Sequence, residues 1–444
     1  MDGSTSHTGT TWHAPIQNLP ASSTSSCWSA GLWVTLLVAF ALRMGLAIVV
    51  EQKVAATPGK VCLIDGDAAG YWELAQKIVA GQDYSIYHPP RYALRMPGFP
   101  LLLAGSQILF GESTLAARCL LACLGTIACG LTYWLGRELC DHTTGLLAAL
   151  YTALSPTLIL FSTLLLSETA FAATLLASLI ALARLARYAN GPASVRRFTV
   201  AGLFAGAWIG IATYMRPTWL YVGPLIAVVV MGAIRRTPST KPIGLALGWL
   251  AVGVVLSLAP WIVRNYSVTG HLVPTTLWVG PSLYDGLHSG ATGDSDMIFF
   301  EQDRLMSRMS EYEMDREYRR RALDFAWKNP VRAMALAVEK QRRYWNLVPN
   351  AAQFQEPKMQ AVVLLAMLPL FGFALCGAWL ARRELSLLVL TTGSLLLFAG
   401  LHLLFVGSLR YRLPAEYPLA VLAAVGAKRL LLSWSPRGQP NAVR

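Results

Sequence analysis

A few carboxylates and a set of arginines are the residues whose types and spacing suit chemistry here. Asp65 and Asp67 lie in LIDGDAAGYWELAQKIVAGQDY, just ahead of an amphipathic pattern that predicts a helix. Asp67 and Tyr71 are four apart, so a helix puts them on one face. Arg91 and Arg95 follow in YHPPRYALRMPGFP, a proline-stiffened cationic stretch. Their guanidiniums suit bidentate binding of phosphate oxygens. Glu168, in TLLLSETAF, sits where an apolar run ends, a depth at which an ionisable group is costly and marks a functional candidate. Arg216 in YMRPTWLY, Arg264 in APWIVRNY, and Arg410 and Arg412 in GSLRYRLPAEYPL complete the set. Such a set suits glycosyl transfer from a phosphate donor. A carboxylate takes the proton of an acceptor hydroxyl, and arginines stabilise charge on the departing phosphate. In that scheme Asp67 is the base or positions the acceptor, and Glu168 supports acceptor or sugar. Arg95, Arg216, Arg410 and Arg412 bind the phosphate.

Each residue also has a plainer explanation. An Asp ahead of a helix often only caps it. Ser167 or Thr169 could draw Glu168 into a similar arrangement. Arg91 and Arg95 could attract anionic headgroups, and a lone arginine can snorkel. What weighs against coincidence is the face on which they gather, and that follows from the elements that position them.

Only 14% of the 444 residues are charged and 55% are hydrophobic, with a mean hydropathy of +0.46. The apolar residues form runs long enough to cross a bilayer. These runs predict spans near 30–50, 114–136, 143–161, 170–188, 199–215, 218–234, 243–263, 359–381, 386–406 and 413–433. The stretch 97–111 reads as an interfacial or re-entrant helix, and 330–348 is too charged to cross lipid. With residues 1–28 inside, the inside turns carry Arg137, then Arg184, Arg187, Arg196 and Arg197, then Arg235, Arg236 and Lys241, then Arg382 and Arg383, then Lys428 and Arg429. That is the positive-inside pattern. The net charge of +13 is thereby spent on loops, and no soluble basic domain remains to bind nucleic acid. The outside face receives two long segments, 51–113 and 264–358, and short turns at 162–169, 215–217 and 407–412. Every candidate residue falls on that side. The expected organisation is a disordered cytoplasmic tail at 1–28, a membrane domain at 29–433 and a cytoplasmic tail at 434–444.

The second long segment also holds His271, Asp285, His288, Asp294 and Asp296. A subset of them could hold a divalent cation with Asp67, but their spacing matches no metal motif, and no cofactor is required by the chemistry. The stretch DRLMSRMSEYEMDREYRRRALDFAWKNP predicts a charged amphipathic surface helix. The seven cysteines show no C-x-x-C spacing and read as packing residues. P-loop, G-x-S-x-G, H-E-x-x-H and dinucleotide fingerprints are missing from the sequence.

The order of GDAAGYWELAQKIVAG, RMPGFPLLLAGSQILFGESTLAAR, LGREL, LSPTLILFSTLLLSETAF, MRPTWL, APWIVRNYSVTGHLVP and RYRLPAEYPL resembles that of GT-C glycosyltransferases. The likeness is to the bacterial family-39-like enzymes, relatives of protein mannosyltransferases and lipid A aminoarabinose transferase. It implies an all-α polytopic bundle of about 10–12 transmembrane helices with two long extracytoplasmic loops. It also implies an inverting hexosyl- or pentosyltransferase of the cell membrane, active on the extracytoplasmic face. The donor would be a polyprenyl-phosphate sugar and the acceptor a lipid, glycan or protein. The family's Asp four residues before a Tyr matches Asp67 and Tyr71, and a carboxylate after the third span matches Glu168. Many relatives have Asp-Glu where Asp67 is followed by Ala68. The Lys-Pro-Pro of the aminoarabinose transferases is replaced by Arg95-Met96-Pro97-Gly98. The competing class is a transporter or flippase of a lipid-linked sugar, which predicts broken mid-membrane helices and internal repeats.

Overall fold

The computed structural model describes residues 29–57, 66–190, 194–234, 243–349 and 356–434. The tail expected at 1–28, Asp65, the basic turn at 235–241 and nearly all of the C-terminal tail lie outside these. Along the chain run α1 (Ala30–Ala55), α2 (Asp67–Val79), α3 (Gly98–Phe110), α4 (Thr114–Leu139), α5 (His142–Leu154), α6 (Pro156–Phe161), α7 (Glu168–Asn190), α8 (Val195–Met215) and α9 (Trp219–Gly232). They are followed by α10 (Ile243–Thr269), α11 (Val279–Gly286), α12 (Ile298–Asp303), α13 (Leu305–Arg308), α14 (Glu311–Lys328), α15 (Pro330–Trp345), α16 (Pro357–Leu380), α17 (Leu385–Leu401) and α18 (Leu409–Trp434). Among the described residues an isolated bridge between Ile86 and Arg91 is the sole β feature.

Six helices are long and apolar enough to cross a membrane: α1, α4, α7, α8, α10 and α16. The apolar helices α3, α9 and α17 are shorter. The run predicted as one span at 143–161 is broken at Ser155, because Pro156 cannot donate to the turn before it and instead starts α6. Polar side chains set several starts. Ser29, Ser113, Asp141 and Ser194 accept from the first turns of α1, α4, α5 and α8, and Ser310 with Glu313 forms a capping box on α14.

The centre of the bundle is α7, whose apolar window is 83% buried, against 28% for α1, α10 and α16. Those outer helices leave Val34, Leu37, Val255, Leu256, Leu365 and Leu375 exposed, as a lipid-facing surface requires. Close helix contacts rest on paired glycines. A Cβ on Gly206 or Gly253 would collide with the facing backbone of α10 or α8. Gly377 and Gly426 do the same for α16 and α18.

The two long loops fold together over one end of this bundle. Leu74, Ile86 and Leu94 of the first share a buried cluster with Phe299, Leu305, Met314 and Tyr318 of the second. The predicted charged helix is α14, and the stretch too charged to cross lipid is α15, which packs on α18.

Candidate active site

Four helix ends bring the site together. Asp67 is the first residue of α2, Glu168 of α7 and Arg410 the second of α18, while Arg216 caps the C-terminus of α8. Pro217 follows Arg216 and disfavours helical backbone at the residue before it, so the arginine stands in an extended conformation at φ −144°. Gly66 precedes Asp67 at φ +81°, a left-handed value that glycine reaches without strain, and it turns the chain into α2. Gly66, not Asp67, occupies the capping position, and no side-chain cap bond is made there. The Asp67 carboxylate is therefore free for other partners.

Those partners are arginines. Arg95 donates to Asp67 Oδ1 at 2.8 Å and Arg410 pairs with Oδ2 at 2.8 Å. Arg410 also pairs with Glu168, whose Oε1 meets Arg216 at 2.6 Å. Arg410 thus bridges the two carboxylates. Three guanidiniums face two carboxylates, leaving one positive charge in excess. Glu168 is 2% exposed and Asp67 37%, so the cluster has a deep end and an open end. The second oxygen of Glu168, Oε2, is buried without a hydrogen-bond partner among the described groups. Burial pushes the Asp67 carboxyl up, but Arg410 and Arg95 outweigh it and hold it well below the usual carboxylate range.

Aromatic rings fix the guanidiniums. Arg95 lies 4.8 Å over Tyr71, which stands edge-on to Phe99 at 5.1 Å. Gly70 lies beneath this pair, and a Cβ there would press on Ile86 Cδ1 at 3.0 Å and touch the Arg95 Nε at 3.4 Å. Tyr84 donates to the Arg95 and Met96 carbonyls at 3.2 and 3.3 Å. Arg216 and Arg410 sit 5.5 and 5.9 Å from the Tyr411 ring, which stacks on His402 at 4.4 Å. Sequence reasoning singled out neither Tyr411 nor His402. The signal for Tyr411 was its place between Arg410 and Arg412; nothing in the sequence pointed to His402.

The remaining candidates are placed elsewhere. Buried Arg91 binds the Met306 and Met309 carbonyls, tying the first loop to the second. Arg264 binds the Tyr84 and Tyr92 carbonyls and stacks 4.9 Å from Trp261. Arg412 is fully buried, pairs with Glu416 at 2.8 Å and donates to the Tyr344 and Asn346 carbonyls. Nor do the second-loop metal candidates converge. Asp285 accepts from Ser295 and the Asp296 amide, Asp294 pairs with Arg343, and His271 stacks on Tyr312. Among the described residues no group of three His, Cys, Asp or Glu side chains is placed to hold a metal.

Residues 88–263 match the family model for dolichyl-phosphate-mannose-protein mannosyltransferases, which covers less than half of the chain. The chain also superimposes on the archaeal oligosaccharyltransferase AglB from Archaeoglobus fulgidus, solved with an inhibitory peptide and a dolichol-phosphate. That match has a TM-score of 0.55 at 15% identity over 91% of this chain. The fold is that of the GT-C glycosyltransferases. The same archaeal enzyme solved with Zn and sulfate gives a TM-score of 0.54 at 16% identity, covering 91% of this chain and 49% of that one. The chain described here spans about half the length of these oligosaccharyltransferase chains. ArnT from Cupriavidus metallidurans in the apo state gives a TM-score of 0.43 at 15% identity, over 90% of this chain and 76% of that chain. No curated protein matches the sequence. Arg91, Arg95, Glu168 and Arg216 lie inside the family match, and Asp67 and Arg410 lie outside it.

Proposed function

We propose that the protein is an inverting glycosyltransferase that moves a sugar from a polyprenyl-phosphate donor to an acceptor outside the cytoplasm. The observation that carries the proposal is Arg410, bridging Asp67 and Glu168 in a cluster with one positive charge to spare. A phosphodiester brings one negative charge and neutralises that excess. The GT-C fold and the match to the mannosyltransferase model support this donor class.

The phosphate would lie against Arg95, Arg216 and Arg410, the only three arginines of the candidate set that reach the two carboxylates. Arriving there, it competes with Asp67 for Arg95 and Arg410. Each guanidinium drawn away removes what holds the Asp67 carboxyl low, so its proton affinity rises toward that of an ordinary carboxylate. A site that is inert when empty thereby gains its base on loading. Asp67 takes the proton of the acceptor hydroxyl as that oxygen attacks the anomeric carbon from the face opposite the phosphate. The carbon–oxygen bond to phosphate breaks, and the arginines take up the charge of the leaving polyprenyl phosphate. In this reading the unpartnered Glu168 Oε2, buried beside Arg216 and Arg410, would accept a hydroxyl of the sugar or acceptor once those arginines shift onto the phosphate. Tyr71 holds Arg95 by its ring face, as a positioning residue.

The test is release of polyprenyl phosphate by the purified chain in lipid nanodiscs supplied with a polyprenyl-phosphate hexose and cell-envelope acceptors. Asp67→Asn is expected to lower turnover by at least about 100-fold while donor binding persists. Turnover within a few-fold of wild type in that variant would remove Asp67 from the chemistry.

A further inference from the structure

A second cationic recess lies at the other end of the bundle. Helix α7 starts at Glu168 and ends at Asn190, which carries the chain about 30 Å from the first site. There α7 and α8 form an open recess of about 530 Å³ lined by Arg184, Tyr188, Arg196, Arg197, Val200 and Phe204, among others. Arg184 shares Glu138 with Arg187, at 3.7 and 2.9 Å. Arg196 and Arg197 make no ion pair with a carboxylate among the described residues, and the Arg197 backbone amide donates to the Ser194 hydroxyl that caps α8. Positive charge therefore exceeds negative charge in the recess, and nothing of the described chain neutralises it.

The apolar side of the recess shows what would. Arg196, Val200 and Phe204 recur every four residues, so they share one face of α8. Val200 and Phe204 are 56% and 53% exposed on a helix long and apolar enough to span a membrane. A ligand seated on the arginines would thus continue along an open apolar strip toward the hydrocarbon. We propose that this recess binds the headgroup of an anionic phospholipid, with its phosphate on Arg196 and Arg197 and an acyl chain along Val200 and Phe204. A free phosphate compound shares the anionic group but has no use for the strip. Basic recesses between spans are suited to acidic lipid headgroups. This site is separate from the Asp67 cluster and does not depend on the activity proposed for it.

Native mass spectrometry of the full chain in detergent, titrated with phosphatidylglycerol, cardiolipin or phosphatidylcholine, tests the assignment. The two anionic lipids are expected to be retained and phosphatidylcholine to be lost. The double variant Arg196→Gln with Arg197→Gln should weaken retention by at least about tenfold, through loss of charge-assisted bonds to phosphate. Arg196→Gln alone should show a smaller loss, which keeps the test available should the double variant purify poorly. Arg382→Gln with Arg383→Gln, at the same end of the bundle but outside the recess, should retain lipid like wild type. Equal losses in the two double variants would mean general surface charge, and no loss in the first would mean no site; either overturns the proposal. Displacement of the lipid by inorganic phosphate would overturn the lipid assignment in favour of a soluble anion.

Discussion

Arg410 and Arg412 stand two residues apart at the start of α18, and each pairs with carboxylate, yet they do opposite things. Arg410 bridges Asp67 and Glu168 from different parts of the chain and has a partly open carboxylate at one end. Arg412 pairs through Nε with Glu416 one turn along the same helix, both fully buried, and its Nη1 holds the end of α15 through the Tyr344 and Asn346 carbonyls. Two residues along a helix turn a side chain by about 200°, so the two arginines face opposite sides. Charge at the membrane boundary therefore does not make a binding site. What separates the two is whether a charge is left uncompensated where a ligand can reach it.

The comparison can be broken by substitution. Arg410→Gln, which strips a partner from both carboxylates, should lower turnover by about 100- to 1000-fold, measured as polyprenyl phosphate released per folded molecule. Arg412→Met should leave turnover per folded molecule within a few-fold but cost about 3–5 kcal/mol of stability, because Glu416 is left as a buried unpaired charge. Adding Glu416→Leu should restore most of that loss, since a buried ion pair replaced by apolar groups of similar volume is often near neutral; thermal unfolding in detergent reads both. Glu168→Gln keeps shape and loses charge, and should reduce turnover by about 10- to 100-fold, with the larger part in kcat.

The smallest expected effect is on pH. The Asp67 carboxyl is held below its unfolded value, so the stability it contributes is complete above the ordinary carboxylate range and is lost progressively as pH falls from there through the lowered folded value. Donor-phosphate binding should therefore show no Asp67 titration between pH 5 and 8, a window above the ordinary carboxylate range of about 4. Arg95→Gln removes one of the two cations that lower it, and an acidic limb should enter the binding profile from below. A wild-type profile with the same limb would contradict the described pairing.

Much of the fold was legible because lipid solvent imposes a simple rule on sequence. The runs at 30–50, 114–136 and 243–263 correspond to α1, α4 and α10, each starting at the predicted residue and longer in the structure by a more polar stretch at its C-terminal end. The break at Ser155 was hidden because the residues on both sides are apolar, and hydropathy does not register a missing amide donor. Within the site, Asp67 with Tyr71 was readable from helical spacing. The sorting of the arginines was not. Arg91 meets Met306 and Met309, and Arg264 meets Tyr84 and Tyr92, across more than 170 residues of sequence. Local motifs carry no trace of such partners, so an arginine that ties loops together and one that faces a ligand look alike until the chain is folded.

The central claim is that Arg95, Arg216 and Arg410 receive the donor phosphate. A cryo-electron microscopy structure of the chain in nanodiscs loaded with polyprenyl phosphate measures this directly. The phosphate is predicted among these three guanidiniums, with at least one of Arg95 and Arg410 withdrawn from Asp67. Phosphate seated elsewhere, with both arginines still on Asp67, would contradict it.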